Sequence, residues 1–202
     1  MSRGPHGTPD WEQVYADKLA EKMPWYYPEL EQDLREVFSR LANQGGTVLD
    51  LGTGPGTQAV GLAGMGFRVT ASDIAPSAVE QAKALAAQQG AEVDFVQDDI
   101  LHTKLTGPFD YVLDRGCFHS LPAAARPLYA AAVFSLLKSK GRLILKCFSH
   151  KYPGTHGPAR LSPEEIHQCF DPQFKVLSVE DSLFQVLRES PPDALLCVLE
   201  KP

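Results

Sequence analysis

From residue 47 onward, short apolar runs alternate with longer stretches in which apolar residues recur at helical spacing. That rhythm predicts strands alternating with helices, and hence a mostly parallel sheet joined by right-handed crossovers. The runs at 47–51, 67–72, 92–96, 109–114 and 142–147 read as the first five strands. Val48, Leu49 and Leu51 put apolar groups on both faces of the first, as expected for a strand covered by helices on either side. Helices are expected after residue 57, over 76–89 and over 123–137, with Ser139-Lys140-Gly141 as the turn into the fifth strand. Ser162-Pro163-Glu164-Glu165 is a helix start, with Ser162 as cap and Glu165 placed to close a capping box. Two final runs, 175–180 and 194–200, predict an antiparallel hairpin at one sheet edge. The expected fold class is α/β, Rossmann-like and doubly wound, with a mostly parallel seven-stranded sheet.

The stretch before the first strand is patterned differently. Residues 1–9 carry Gly, Pro, Ser and Thr and predict a disordered or extended arm. Asp10 then opens a helix, with Gln13 as its capping-box partner and Trp11, Val14, Tyr15 and Leu19 on the apolar face. Pro24-Trp25-Tyr26-Tyr27-Pro28 is a stiff aromatic segment. Pro28 is expected at the first position of the next helix, where Leu30, Leu34, Val37, Phe38 and Leu41 mark one face and residues 43–46 stop it. The chain, 1–202, therefore reads as a single domain. Its parts are the arm (1–9), N-terminal helices with a candidate lid (10–45), a binding core (46–147), and a late loop, helix and hairpin (148–202).

Chemistry concentrates where the first strand ends. Asp50-Leu51-Gly52-Thr53-Gly54-Pro55-Gly56-Thr57 passes from a carboxylate straight into a glycine-rich turn, which allows positive φ and close backbone approach to a ligand. Strand, glycine turn and helix make a nucleotide cradle. A dinucleotide fingerprint needs G-x-G-x-x-G. Here the third glycine comes one residue early, at Gly56, and Thr57 stands in its place. Asp50 also sets a negative charge at the pocket, which repels a pyrophosphate and attracts the cationic amino acid end of S-adenosylmethionine. Asp73 ends the second strand, 21 residues after Gly52. An acidic residue there binds ribose hydroxyls in doubly wound sheets, and capping the helix that opens at Pro76 is the other reading.

Composition narrows the partners. The 202 residues, 44% hydrophobic and 22% charged, are those of a soluble globular chain. A net charge of −6 without a basic stripe argues against nucleic acid and against an anionic membrane surface. There is no long apolar run and no charged-then-apolar leader, so neither a membrane span nor a signal peptide is expected, and the location expected is cytoplasmic. Cys117, Cys147, Cys169 and Cys197 are widely spaced and read as reduced thiols. No metal is expected, because the cysteines are unpaired in spacing and His150, His156 and His167 form no ligand motif.

The pattern D-x-G-x-G-x-G over residues 50–56 resembles motif I of the class I S-adenosylmethionine-dependent methyltransferases. The resemblance covers residues 47–147. It implies S-adenosyl-L-methionine as cofactor, leaving as S-adenosyl-L-homocysteine, with Asp50, Gly52, Thr53, Gly54, Gly56, Thr57, Asp73, Ile74 and Asp114 around it. It also implies a carboxylate after the third strand that accepts from the adenine amino group, with the next backbone N–H on a ring nitrogen. Asp98-Asp99-Ile100 offers this in two registers: Asp99 with Ile100, which leaves Asp98 as a solvated neighbour, or Asp98 itself.

Asp114-Arg115-Gly116, then Leu121-Pro122, Arg126, Tyr129, Leu136-Leu137 and Gly141, look like the thiopurine and halide/thiol methyltransferase branch. Trp11 with Pro24-Trp25 and Pro28 is similar to its N-terminal lid, and Gly157-Pro158 before Ser162 to its late loop. That branch's acidic or aromatic substrate contacts are replaced here by Cys117-Phe118-His119-Ser120. The resemblance implies direct in-line transfer to a small soluble acceptor, a thiol or other soft nucleophile first. A protein side chain, a natural-product hydroxyl, or a non-catalytic cofactor-binding scaffold are the alternatives. Transfer needs in-line positioning, exclusion of water and, for some acceptors, a base.

His119 is the candidate base, since imidazole titrates near neutral pH; a packing or capping histidine is the other reading. Arg115 either pairs with a carboxylate of the frame or holds an anionic substrate. Trp25, Tyr26 and Tyr27 are the candidate lid and Arg160 a candidate at the substrate entrance. The expected assembly is a monomer or weak homodimer.

Overall fold

The computed structural model describes residues 4–42, 45–154 and 156–202. Seven strands, β1 (Thr47–Leu51), β2 (Arg68–Asp73), β3 (Val93–Gln97), β4 (Phe109–Arg115), β5 (Leu137–Phe148), β6 (Lys175–Leu183) and β7 (Asp193–Glu200), form one sheet in the order β3-β2-β1-β4-β5-β7-β6. The first five are parallel to their neighbours, whereas β7 runs antiparallel to both β5 and β6. The terminal hairpin is thus present, with β7 wedged inside and β6 forming the rim. Strand order reverses between β1 and β4, and the crevice beyond that reversal is where doubly wound sheets take ligands.

Helices α1 (Trp11–Asp17), α2 (Gln32–Ala42), α3 (Thr57–Gly64), α4 (Pro76–Gln89), α5 (Arg126–Leu136) and α6 (Pro163–Phe170) accompany the sheet. Period-two alternation sends successive β1 side chains to opposite faces. Val48 packs with Leu34, Phe38, Leu62, Phe67 and Leu113. Leu49 and Leu51 pack with Tyr129, Val133, Phe170 and Leu145 on the other side. Phe38, Phe67 and Tyr111 meet edge to face, at centroid separations of 5.5 to 6.1 Å. Both layers therefore bury apolar surface continuously, which explains why β1 carries no polar alternation.

Several local expectations change. Residues 4–9 are not a disordered or extended arm: Pro5–Gly7 forms a 3-10 turn, Gly4 N–H donates to Thr8 O at 2.9 Å, and Thr8 is buried. Residues 1–3, Asn43, Gln44 and Thr155 lie outside the described residues, so the proposed helix stop at 43–46 is described only at its end. Asp10 caps α1 through Gln13 N–H at 3.2 Å, but the Gln13 side chain turns to Asp17 instead of closing a box. Ser162 and Glu165 do form the reciprocal capping box. Pro28 does not open α2, which begins at Gln32. The segment before it is held extended from outside, by Gln58 taking the Glu31 N–H at 3.0 Å and donating to Glu29 O at 3.0 Å.

Glu31 is then carried into the interior. Its carboxylate, fully buried, meets Lys146 Nζ and Arg115 Nε, the latter at 2.5 Å. Lys146, itself fully buried on β5, also reaches Asp33 Oδ2 at 2.6 Å. Arg115 further donates to Trp25 O and Gln185 O, each at 2.9 Å. One carboxylate thus joins the N-terminal segment to β4, β5 and the loop after β6. Removing one partner of a buried pair strands the others without compensation. Glu31→Ala should therefore destabilise the fold by about 3–5 kcal/mol in urea unfolding, and a loss under about 1 kcal/mol would contradict this role.

Candidate cofactor and transfer site

The turn after β1 is built to bring backbone, not side chains, to the crevice. Gly56 has φ +84° and a Cβ there would lie 2.7 Å from that of Ala82; at Gly54 (φ +53°) it would lie 2.6 Å from the Tyr15 hydroxyl. Gly52 and Thr53 N–H both donate to Ser72 O, at 2.8 and 2.9 Å, which pins the turn to the end of β2. Gly54 N–H donates to Asp73 Oδ2 at 2.9 Å and Ala75 N–H to Asp73 Oδ1 at 3.0 Å. Asp73 therefore holds the glycine turn and the entry to α4 together. Thr53 donates its hydroxyl to Asp50 Oδ2 at 2.6 Å, and Thr57 starts α3 directly after the turn.

Asp114, fully buried at the end of β4, accepts from Gly116, Cys117 and Phe118 N–H at 2.8 to 3.0 Å and from the Tyr129 hydroxyl at 2.6 Å. It positions the turn after β4. Asp50, Asp73 and Asp114 are all buried, and none has a Lys or Arg salt bridge among the described residues. Burial pushes Asp50 up to about 7, against the Thr53 bond, and the charges of Asp114 and Asp73 add to the rise. Burial likewise raises Asp114 to about 6, against its Tyr129 and backbone bonds, and burial raises Asp73. Carboxylates kept this close to neutrality gain most from a cation placed among them. The donor set thus fits the positively charged end of S-adenosylmethionine and disfavours a diphosphate.

After β3 the two acids exchange the environments expected of them. Asp98 is not a solvated neighbour: its Oδ1 accepts Lys104 N–H at 2.8 Å, and Oδ2 is buried without a partner. Asp99 is the satisfied one, accepting Leu101 N–H at 3.0 Å and contacting His6 Nε2 at 2.8 Å and His102 Nδ1 at 3.2 Å. The folded N-terminal turn supplies His6, a contact 93 residues distant in sequence. Ile74 follows Asp73 just after β2 and is half-buried, and Ile100 is buried in the core at the start of the next turn.

Of the candidate lid residues, Trp25 reaches Tyr15, whose hydroxyl lies beside Gly54. Trp25 Nε1–H donates to the Tyr15 hydroxyl at 3.3 Å, and its ring meets Trp11 edge to face at 5.8 Å. Tyr26 packs beside them, whereas Tyr27 lines a surface groove of about 460 Å³ with Phe184 and Gln185. Tyr15 is the residue that sequence reading placed only on a helix face; its contact at Gly54 follows from how α1 crosses α4.

Three candidate transfer residues take other roles. Arg115 belongs to the buried Glu31 pair and does not face an acceptor. Arg160 spends its guanidinium on the carbonyls of Tyr152, Pro153, His156 and Pro158, at 3.0 to 3.2 Å, and so shapes the late loop. His119 is buried, and its Nδ1 accepts the Phe148 N–H at 2.8 Å. A neutral ring using that lone pair carries its proton on Nε2. Burial, reinforced by the charges of Arg115, Arg126 and Arg160, lowers His119 to about 3. His119 is therefore a hydrogen-bond donor at neutral pH, not a base.

Known proteins agree with the cofactor chemistry. Residues 48–141 match a family described as a methyltransferase domain. The 2-heptyl-1-hydroxyquinolin-4(1H)-one methyltransferase of Mycobacteroides abscessus is 31% identical over 159 residues, covering 75% of this chain and 68% of the relative. The chain belongs to the S-adenosylmethionine-dependent methyltransferases. The ubiquinone biosynthesis O-methyltransferase of Xanthomonas axonopodis pv. citri is 32% identical across 68% of this methyltransferase and 61% of the relative. A structure from work on conversion of a disulfide bond into a thioacetal group during echinomycin biosynthesis shares the fold, with TM-score 0.83, 22% identity and coverage of 96% and 92%.

Asp73 ties the glycine turn to the entry of α4, as its capping reading expected, and ribose binding is the further role expected of it from the sequence. Asp73→Ala should weaken S-adenosylhomocysteine binding about 10- to 100-fold by titration calorimetry, the size of one or two lost charged hydrogen bonds. An unchanged affinity in a folded variant would refute the assignment.

Proposed function

We propose that this methyltransferase acts on a small acceptor that arrives already deprotonated, a thiolate or an acidic hydroxyl, and that His119 holds it by donating from Nε2. The observation that carries this reading is the Phe148 N–H bond to His119 Nδ1, which leaves the imidazole without a free basic nitrogen. Two neighbouring carboxylates are also engaged. Asp114 is saturated by four donors, and Glu31 is shared by Arg115 and Lys146. His119 Nε2 has no protein partner among the described residues, and the ring lies between Phe148 and Phe184, at centroid distances of 4.6 and 5.7 Å. Those aromatic walls favour a flat or polarisable acceptor.

Bound S-adenosylmethionine supplies a methyl group already activated on its sulfonium sulfur. The protein's own task is then to orient the acceptor in line and to exclude water. The aromatic lid of Trp11, Tyr15 and Trp25 serves the second task. The Asp-Arg-Gly pattern after β4 supports a soft nucleophile by its resemblance to the thiopurine and halide/thiol branch. A relative named for a hydroxyquinolinone and a fold neighbour from a study of sulfur chemistry are compatible with either anion.

A panel of aryl thiols and phenols of graded acidity tests the reading. Rates should follow each acceptor's own ionisation, and His119→Ala should lower kcat/KM by about 10- to 100-fold without moving the pH profile. A limb near neutral pH that is independent of the acceptor and disappears in His119→Ala would mean that His119 removes a proton.

A further inference from the structure

We propose that His6, Asp99 and His102 form a binding site for one divalent transition metal ion of the zinc type, joining the N-terminal turn to the turn after β3. The three side chains offer one ligand atom each, and all three atoms lie within 4.8 Å of one another. His6 Nε2 is 2.8 Å and His102 Nδ1 3.2 Å from the same oxygen, Asp99 Oδ2. Zinc bonds of about 2.0–2.2 Å place neighbouring tetrahedral ligand atoms about 3.3–3.5 Å apart. An ion therefore fits after a small opening of the cluster.

The chemistry of the set selects the ion. Two imidazoles and one carboxylate suit zinc, copper or nickel, whereas magnesium and calcium prefer oxygen ligands throughout. Three protein ligands leave a fourth position for water. Without an ion, both rings must donate to one carboxylate oxygen, and His102 must carry its proton on Nδ1. With an ion, both rings give lone pairs as neutral ligands and the carboxylate stays ionised.

The backbone prepares this convergence. His6 adopts φ +61°, uncommon for a residue with a side chain, inside the turn closed by Gly4 N–H to Thr8 O and by the Thr8 hydroxyl to Pro5 O at 2.7 Å. The His6 and His102 rings stack at 5.1 Å and 27°, so both present an edge to Asp99. His102 stands on the same short turn as Asp99, three residues on, while His6 comes from the far end of the chain. No local spacing could reveal the set. Ion binding here does not depend on the cofactor or the acceptor, and it would restrain Asp99 at the edge of the crevice after β3.

The full chain, dialysed against EDTA, should be titrated with cobalt(II) and then zinc(II). The expected result is one equivalent of zinc by calorimetry, with a visible cobalt band that zinc bleaches. His6→Ala, His102→Ala and Asp99→Asn should each lower zinc affinity by more than about tenfold, since losing even an outer-shell partner costs that much. Both histidines are exposed, so these variants should fold, as a control His156→Ala should while keeping full affinity. Absence of zinc binding, binding that persists in all three variants, or binding lost only on alkylation of the cysteines would overturn the site.

Discussion

Three buried carboxylates set around a glycine turn are the constraint to which the rest of the molecule answers. Asp50, Asp73 and Asp114 stand at the ends of β1, β2 and β4, where the strand order reverses. Each is held by hydrogen bonds from hydroxyls or backbone amides, and among the described residues none is paired with a Lys or Arg, so no fixed cation offsets their charge. Satisfying those bonds dictates much of the local structure. Gly54 must approach Asp73, Gly116 to Phe118 must curl over Asp114, and Tyr129 must reach down from α5. Electrostatic work of this kind is done in advance by the fold, and a cationic ligand collects it on binding.

A second buried charge cluster pairs two cations with two carboxylates. Lys146 and Arg115 share Glu31 inside the sheet's upper edge, and both cations also face the Phe184 ring, at 5.6 and 4.8 Å. The N-terminal segment is thereby anchored to β4 and β5, with Trp11, Tyr15 and Trp25 packed together. Burial, with the charges of Arg115, Arg126 and Arg160 added, keeps His119 neutral. A neutral imidazole with one nitrogen occupied can donate a hydrogen bond but has no free lone pair for a proton, and the proposed preference for an ionised acceptor rests on that.

Locally determined features were legible in the sequence. The helix Pro76–Gln89 matches its expected bounds, the Ser162 box forms as read, and six strands fall close to their apolar runs, whereas β5 starts at Leu137 and takes in Ser139-Lys140-Gly141, expected to be a turn. The glycine turn after Asp50 was legible too, because it lies within a few consecutive residues. What escaped depends on partners far along the chain. Pro28 had the composition of a helix start, but Gln58 holds the following residues extended. Arg160 looked available for substrate, yet four nearby carbonyls engage it. His119 had the right neighbourhood for a base, and a single backbone N–H from β5 removes that option. Asp98 and Asp99 differ only in which one the His6 turn and the Lys104 amide happen to meet.

Calorimetric titration of S-adenosylmethionine at about pH 6 and about pH 8 tests the carboxylate account most directly. Asp50, raised by burial to about 7, is largely protonated at the lower pH. A cation bound among these groups draws them towards the ionised form, so binding expels protons and is favoured as pH rises. The account predicts tighter binding at the higher pH, with protons released to the buffer and the dependence reduced in Asp50→Asn. Affinity that is flat or falls with pH, without proton release, would contradict it.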